Sequence, residues 1–179
     1  VFEVVPVSDG MALSKVVLQR ADLADLEFAP GQDATMRDRS AIVTLANAQP
    51  DGTGMGKGLY PKLDWGFAPY VRTALFDPDN PLRIGVGIRA NLRYDIAPGL
   101  VLSGSVTQKL AGNLGSSDRV SDSILPHVRS DSNIYDREGD TSLETLTLAW
   151  YAKPAPDLYS RVTVGYLERM YGGVSGELL

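Results

Sequence analysis

The sequence of 179 residues has no cysteine, a single histidine, and no run approaching the ~20 apolar residues of a membrane-crossing helix. Without cysteine there are no disulfides, thiolate metal sites or thiol nucleophiles. His127, in LPHVRSD, has no second histidine with which to found a zinc site, and no elbow motif marks a serine for a triad with it. It reads as a surface or loop residue. If the chain crosses a bilayer, strands must do the crossing. Nucleic acid as a partner is disfavoured too, because the arginines are scattered, with no Lys-rich block and no interleaved aromatic platform. The opening VFEVVPVSDG lacks a basic stretch leading into an apolar signal core, and both it and the closing VSGELL read as cuts through a longer protein.

What is present excludes general disorder: 44% of residues are hydrophobic and 22% charged. The net charge of -5 is uneven, with residues 57–110 at +3 between flanks at -4 each. GTGMGKG invites a phosphate-loop reading but fails on spacing, since Asp51 stands where the leading glycine belongs and Gly58 follows Lys57. DREGD gathers Asp136, Glu138 and Asp140 without the spacing or further ligands of a calcium loop, and is read as solvated loop. Catalytic and metal-binding residues are therefore assigned to none, and no cofactor is expected.

Three regions follow from the patterning. Residues 1–50 form a small α/β module: VFEVVPV and ALSKVVLQ are strand-like around the turn SDG, 21–28 is a short helix, and SAIVTLANA is a further strand. The helix is expected to pack through Leu23, Leu26 and Phe28. Residues 51–61 have the Gly/Pro composition of a linker. From 62 to 179 the pattern is strands only. Leu82, Ile84, Val86, Ile88, Leu92 and Ile96 share one parity, and Arg83, Arg89 and Arg93 the other, so one face is apolar and the other basic. Short turns at 97–99 and 153–157 alternate with a long connection at 111–142. This habit belongs to up-and-down membrane barrels, although a soluble sandwich also alternates.

Several stretches together, APYVRTALFDPDNPLRIGVGIRANLRYDIAPGLVLSGSV and LPHVRSDSNIYDREGDTSLETLTLAWYAKPAPDLYSRVTVGYLERMYGGVSGELL, resemble the YjbH-type family, which includes the capsule protein GfcD. The resemblance is strong over 68–179 and looser over 1–50. It implies a Gram-negative outer-membrane lipoprotein barrel serving exopolysaccharide or capsule export, with other polysaccharide-secretion proteins and outer-membrane lipid as partners. The lipid-bearing cysteine of that family is absent from these residues.

The expectation is thus a mainly β chain whose antiparallel strands form part of an outer-membrane barrel wall, non-catalytic, with the α/β module in the periplasm. Arg72, Arg83, Arg89, Arg93 and Arg161 are expected to line the lumen and face an acidic glycan, the competing view being that they only pair with acids such as Asp64 and Asp95. Trp65, Tyr94, Trp150, Tyr151 and Tyr159 are expected at the membrane interface. The short turns should be periplasmic and 111–142 extracellular, with cysteines at Ser117 and Ser130 open to labelling from outside. Replacing Arg83, Arg89 and Arg93 together by glutamine should leave assembly intact. Two other readings stand beside this one: a soluble carbohydrate-binding sheet protein, and a polysaccharide-processing enzyme with its carboxylates in 111–142.

Overall fold

The computed structural model describes residues 1–44, 60–78, 80–125, 127 and 129–179. The GTGMGKG stretch, and the linker 51–61 apart from Tyr60 and Pro61, lie outside the described residues. The described chain is mainly β and antiparallel.

The N-terminal module divides its two strand-like pieces into four. Pro6 cannot donate to a ladder, and it separates β1 (Phe2–Val4) from β2 (Val7–Ser8). β2 pairs with β3 (Met11–Ala12) in a hairpin whose two turn residues, Asp9 and Gly10, have φ of 50° and 79°. Positive φ at both central positions is the geometry that Asp-Gly favours. β4 (Ser14–Leu18) lies between β1 and β5 (Ala41–Thr44) in a three-stranded sheet.

Two helices connect β4 to β5, where the sequence reading placed one. α1 (Arg20–Leu26) buries Leu26, but Phe28 is 91% exposed just beyond its end and takes no part in packing, a correction to the expected set. α2 (Gln32–Arg39) has no buried residue. Its mostly polar QDATMRDR carries no apolar stripe, which is why periodicity missed it.

The remaining strands form one six-stranded meander: β6 (Lys62–Leu75), β7 (Leu82–Ala97), β8 (Leu100–Gly112), β9 (Thr141–Ala155), β10 (Leu158–Glu168) and β11 (Tyr171–Leu178), each paired with its neighbour in sequence. β6 and β11 are the sheet edges. The long connection contains a third helix, α3 (Ser132–Glu138). Two boundaries differ from expectation: β9 runs through Lys153–Pro154–Ala155 before a two-residue turn, and Tyr171–Gly172–Gly173 lies inside β11 rather than before it.

The usual relation of parity to burial is inverted here. On β7, Arg83 is 3% exposed while its neighbours Leu82 and Ile84 are 54% and 37% exposed. The same apolar parity continues through Trp65, Phe67 and Val71 on β6, Leu146, Leu148 and Trp150 on β9, and Val162 and Val164 on β10, all exposed. No second sheet covers this face among the described residues. The buried wall residues, Val101, Thr107 and Ala149, lie on the other face with Arg83.

Strand stagger shapes the two ends. Leu100 at the start of β8 pairs with Trp150, and Tyr151 N–H donates to the Gly99 carbonyl at 2.7 Å. The β9–β10 hairpin therefore continues past the β7–β8 turn as an overhang, with residues 151–155 paired only to β10.

Candidate functional site

The concave polar face of the meander carries the charged residues, grouped at its two ends. Toward the end bearing the long connection, Glu144 accepts from Arg72 Nη2 at 2.6 Å and from Arg89 Nε at 2.7 Å. These residues come from β6, β7 and β9, so the sheet curls enough to bring strands three apart within hydrogen-bond reach. Glu144 turns inward because it is the extra residue of a bulge: Ser105 pairs with Thr145 and Val106 with Leu143, and nothing opposes Glu144. Gly87 permits the curl, since a Cβ there would lie 2.7 Å from the Tyr70 ring and 2.1 Å from the Gln108 carbonyl oxygen. Arg89 sits 5.8 Å over that Tyr70 ring.

α3 closes this end. Its Asp136, buried, accepts from Arg169 at 2.6 Å and lies 3.9 Å from Arg72. Arg83 donates to the Leu114 carbonyl and to Asn133 Oδ1, both at 2.8 Å, and pairs with Asp77 at 3.1 Å. Arg83 thus pins the long connection onto the wall. Its burial removes it from the expected glycan-facing set, a correction that follows from the loop folding over it.

At the opposite end the β2–β3 hairpin rests on the wall. Asp9 meets Arg93 at 2.6 Å, and Arg93 Nε also donates to Asp95 at 2.8 Å. The Leu13 carbonyl accepts from Lys153 Nζ at 3.2 Å and from the Tyr159 hydroxyl at 3.3 Å. Gly10 abuts the β7–β8 turn so closely that a Cβ would fall 2.1 Å from Gly99 N. Lys153 lies 5.0 Å over the Tyr159 ring and Arg161 lies 6.0 Å over Tyr151, with Glu177 pairing Arg161.

The five expected arginines therefore share the concave face, and each has a carboxylate partner. Arg89, Arg93 and Arg161 remain about two-fifths exposed, at 39%, 42% and 42% of their side chains. Asp95 is one of the anticipated partners; Asp64 pairs with Lys62 at 2.8 Å instead. The aromatics do not share one face. Trp65, Tyr94 and Trp150 follow the apolar parity, whereas Tyr151 has the opposite parity to Trp150 and Tyr159 reaches toward the hairpin, so those two do not share the uncovered face with the other three.

Sequence reasoning missed Asp9, Glu144 and Glu177, and its reading of DREGD as solvated loop is corrected at Asp136, which is buried on α3. Only Glu144 left a trace, where alternation breaks at Glu144–Thr145 in LETLTLAW. No group of three potential metal ligands occurs among the described residues. Asp140 of the DREGD cluster pairs with Lys109, and Glu138 lies 3.5 Å from Arg137. His127, in the long connection, contacts the Ser123 carbonyl through Nε2 at 3.0 Å and Asp131 through Nδ1 at 2.9 Å. The Ser123 carbonyl first, and then Asp131, raise its pKa above the ordinary value of about 6.5.

A family model described as "exopolysaccharide biosynthesis protein YbjH" matches residues 1–179. A curated relative, the uncharacterized lipoprotein YjbH of Escherichia coli (strain K12), is 23% identical over 152 residues, covering 83% of this chain and 21% of its own length. The chain thus spans about a fifth of that relative. No solved structure matches it. No helix among the described residues is long and apolar enough to cross a membrane, which leaves strand-built crossing untouched.

Proposed function

The chain belongs to the YjbH exopolysaccharide-biosynthesis family, and from that premise we propose that it forms part of an outer-membrane β-barrel wall taking part in exopolysaccharide or capsule export or assembly. One observation carries the reading: an apolar face runs uncovered across six antiparallel strands while charge gathers on the concave face. In water such a face is a large association liability; in lipid it is the expected exterior. Strands of 14 and 16 residues exceed the roughly 9–11 that cross a bilayer at a tilt. A soluble carbohydrate-binding sheet would need a second layer over that face.

The remaining assignments follow from this orientation. The turns at 98–99 and 156–157 lie at one end of the meander, with the N-terminal module against them, and are placed in the periplasm; 113–140 is placed outside. The lipoprotein relative supports an envelope location. Trp65, Tyr94 and Trp150 are placed toward the lipid interface. Arg89, Arg93 and Arg161 remain accessible enough to meet a passing glycan, but their carboxylate partners already balance much of their charge. We read the chain as non-catalytic, supported by arginines engaging the buried Asp136 and Glu144. Exposed Phe2, Phe28 and Ile42 on the module offer an apolar contact for other secretion proteins.

Cysteine labelling of intact cells tests the orientation. Ser117 is fully buried and unsuitable as a label site, so Asp122→Cys and Ser130→Cys report the outer end and Pro156→Cys the periplasmic turn. Labelling of the first two alone is expected; labelling of Pro156→Cys alone sinks the assignment. Loss of polysaccharide secretion on deletion, restored by the full-length protein, is expected for the export role.

A further inference from the structure

Where the β2–β3 hairpin lies against the β9–β10 overhang, the two enclose a cleft of about 280 Å3. The hairpin side supplies Ser8, Asp9 and Met11, and the wall supplies Tyr151, Tyr159 and Arg161. Its volume falls just below the ~300–1,000 Å3 of sites for drug-sized molecules, which fits one ring rather than an extended oligomer.

The lining combines two kinds of surface. Two phenol rings and Met11 offer flat apolar area, while Ser8, Asp9 and Glu177 offer hydroxyl and carboxylate oxygens. Arg161 also lines the cleft, and with its side chain 42% exposed beside Glu177 its guanidinium can still donate to a hydroxyl from outside. A pyranose ring has this dual character, with C–H faces that lie against aromatic rings and hydroxyls that both donate and accept. Charge narrows the class. The lining holds two carboxylates, Asp9 and Glu177, against one cation, Arg161, and Lys153 nearby is held on the Leu13 carbonyl and the Tyr159 ring, so a uronate would add a third carboxylate to an acidic cleft.

We propose that this cleft binds a single neutral pyranose residue. That the sugar belongs to an exported polysaccharide rests on the reading above; the recognition chemistry does not. Because the hairpin forms one wall, bound sugar and docked hairpin stabilise each other by linkage.

The test uses the full-length protein in detergent micelles and saturation-transfer NMR with the methyl glycosides of glucose, galactose, N-acetylglucosamine and glucuronic acid as probes. Saturation transfer to at least one neutral glycoside is expected. Tyr151→Leu and Tyr159→Leu should weaken it about tenfold, and Tyr159→Phe, which keeps the ring but loses the bond to the Leu13 carbonyl, should weaken it less than Tyr159→Leu. Gly10→Ala, which leaves the wall intact, should also weaken it if the hairpin contributes a wall. Folded protein giving no transfer to any neutral glycoside overturns the proposal, as does transfer unaffected by either leucine variant or a preference for the glucuronide. The two readings fail separately: glycoside binding with normal secretion in a deletion strain rejects export and keeps the cleft, whereas impaired secretion without binding rejects the cleft alone.

Discussion

Asp9, at the tip of the β2–β3 hairpin, and Arg93, within β7, meet at 2.6 Å across 84 residues of sequence. The contact joins the N-terminal module to the wall, but charge is the smaller part of the attachment. With Arg93 42% exposed, the pair is worth about 1 kcal/mol or less. Gly10 matters more, since any side chain there collides with Gly99 backbone at a φ of 79°. Gly10→Ala should release the hairpin and Asp9→Asn should only loosen it, read as protease cleavage within 7–13. Equal sensitivity of the two variants contradicts this ordering.

Arg83 should prove structural. Arg83→Gln loses two 2.8 Å hydrogen bonds and a buried ion pair, at a cost of about 2–4 kcal/mol. The glutamine triple variant at Arg83, Arg89 and Arg93 is therefore expected to assemble poorly, against the expectation from sequence. Chemical denaturation of the single variants in micelles checks this, with Arg83→Gln the least stable of the three. A wild-type midpoint for Arg83→Gln removes the pinning role.

Parity of the wall can be probed by moving one charge. Ile88→Arg puts a cation on the uncovered face and should cost about 2–4 kcal/mol near a bilayer midplane, whereas Ser105→Arg, on the concave face opposite Asn91, loses chiefly one hydroxyl contact to Thr145. The folded fraction in lipid vesicles, followed by heat-modifiable gel migration, should fall for Ile88→Arg alone. The reverse ordering would place the concave face against lipid.

His127 gives the long connection a pH dependence. Both of its partners are acceptors, so both bonds are donated only by the imidazolium. The folded pKa lies above the unfolded value, so the tether is complete below about pH 6.5 and is lost as pH rises through the folded pKa. Hydrogen exchange across 123–131 should accelerate over that interval, and His127→Gln should abolish the change. Exchange that slows with rising pH, after correction for the intrinsic rate, contradicts the sign.

The wall was legible because period-two alternation is a local property: Leu82 to Ile96 announce their strand without reference to any other residue. Its charged pairs were not, because Arg72 meets Glu144 across 72 positions and only the bulge aims that carboxylate inward. Tyr151 and Tyr159 were misplaced for a related reason, since proximity to a strand end does not specify a face. α3, with seven residues and Asp136 as its buried member, lacks the apolar stripe by which short helices are recognised.

Every wall strand pairs with its immediate successor, so the sheet can form by a series of short loop closures, interrupted once by the connection between β8 and β9. The hairpin obeys different kinetics. Leu13 meets Tyr159 at a separation of 146 residues, and its seat does not exist until β9 and β10 are paired. Closure entropy and contact order therefore place its docking late in folding. A hairpin synthesised before any wall strand is thus seated only after most of the wall has formed.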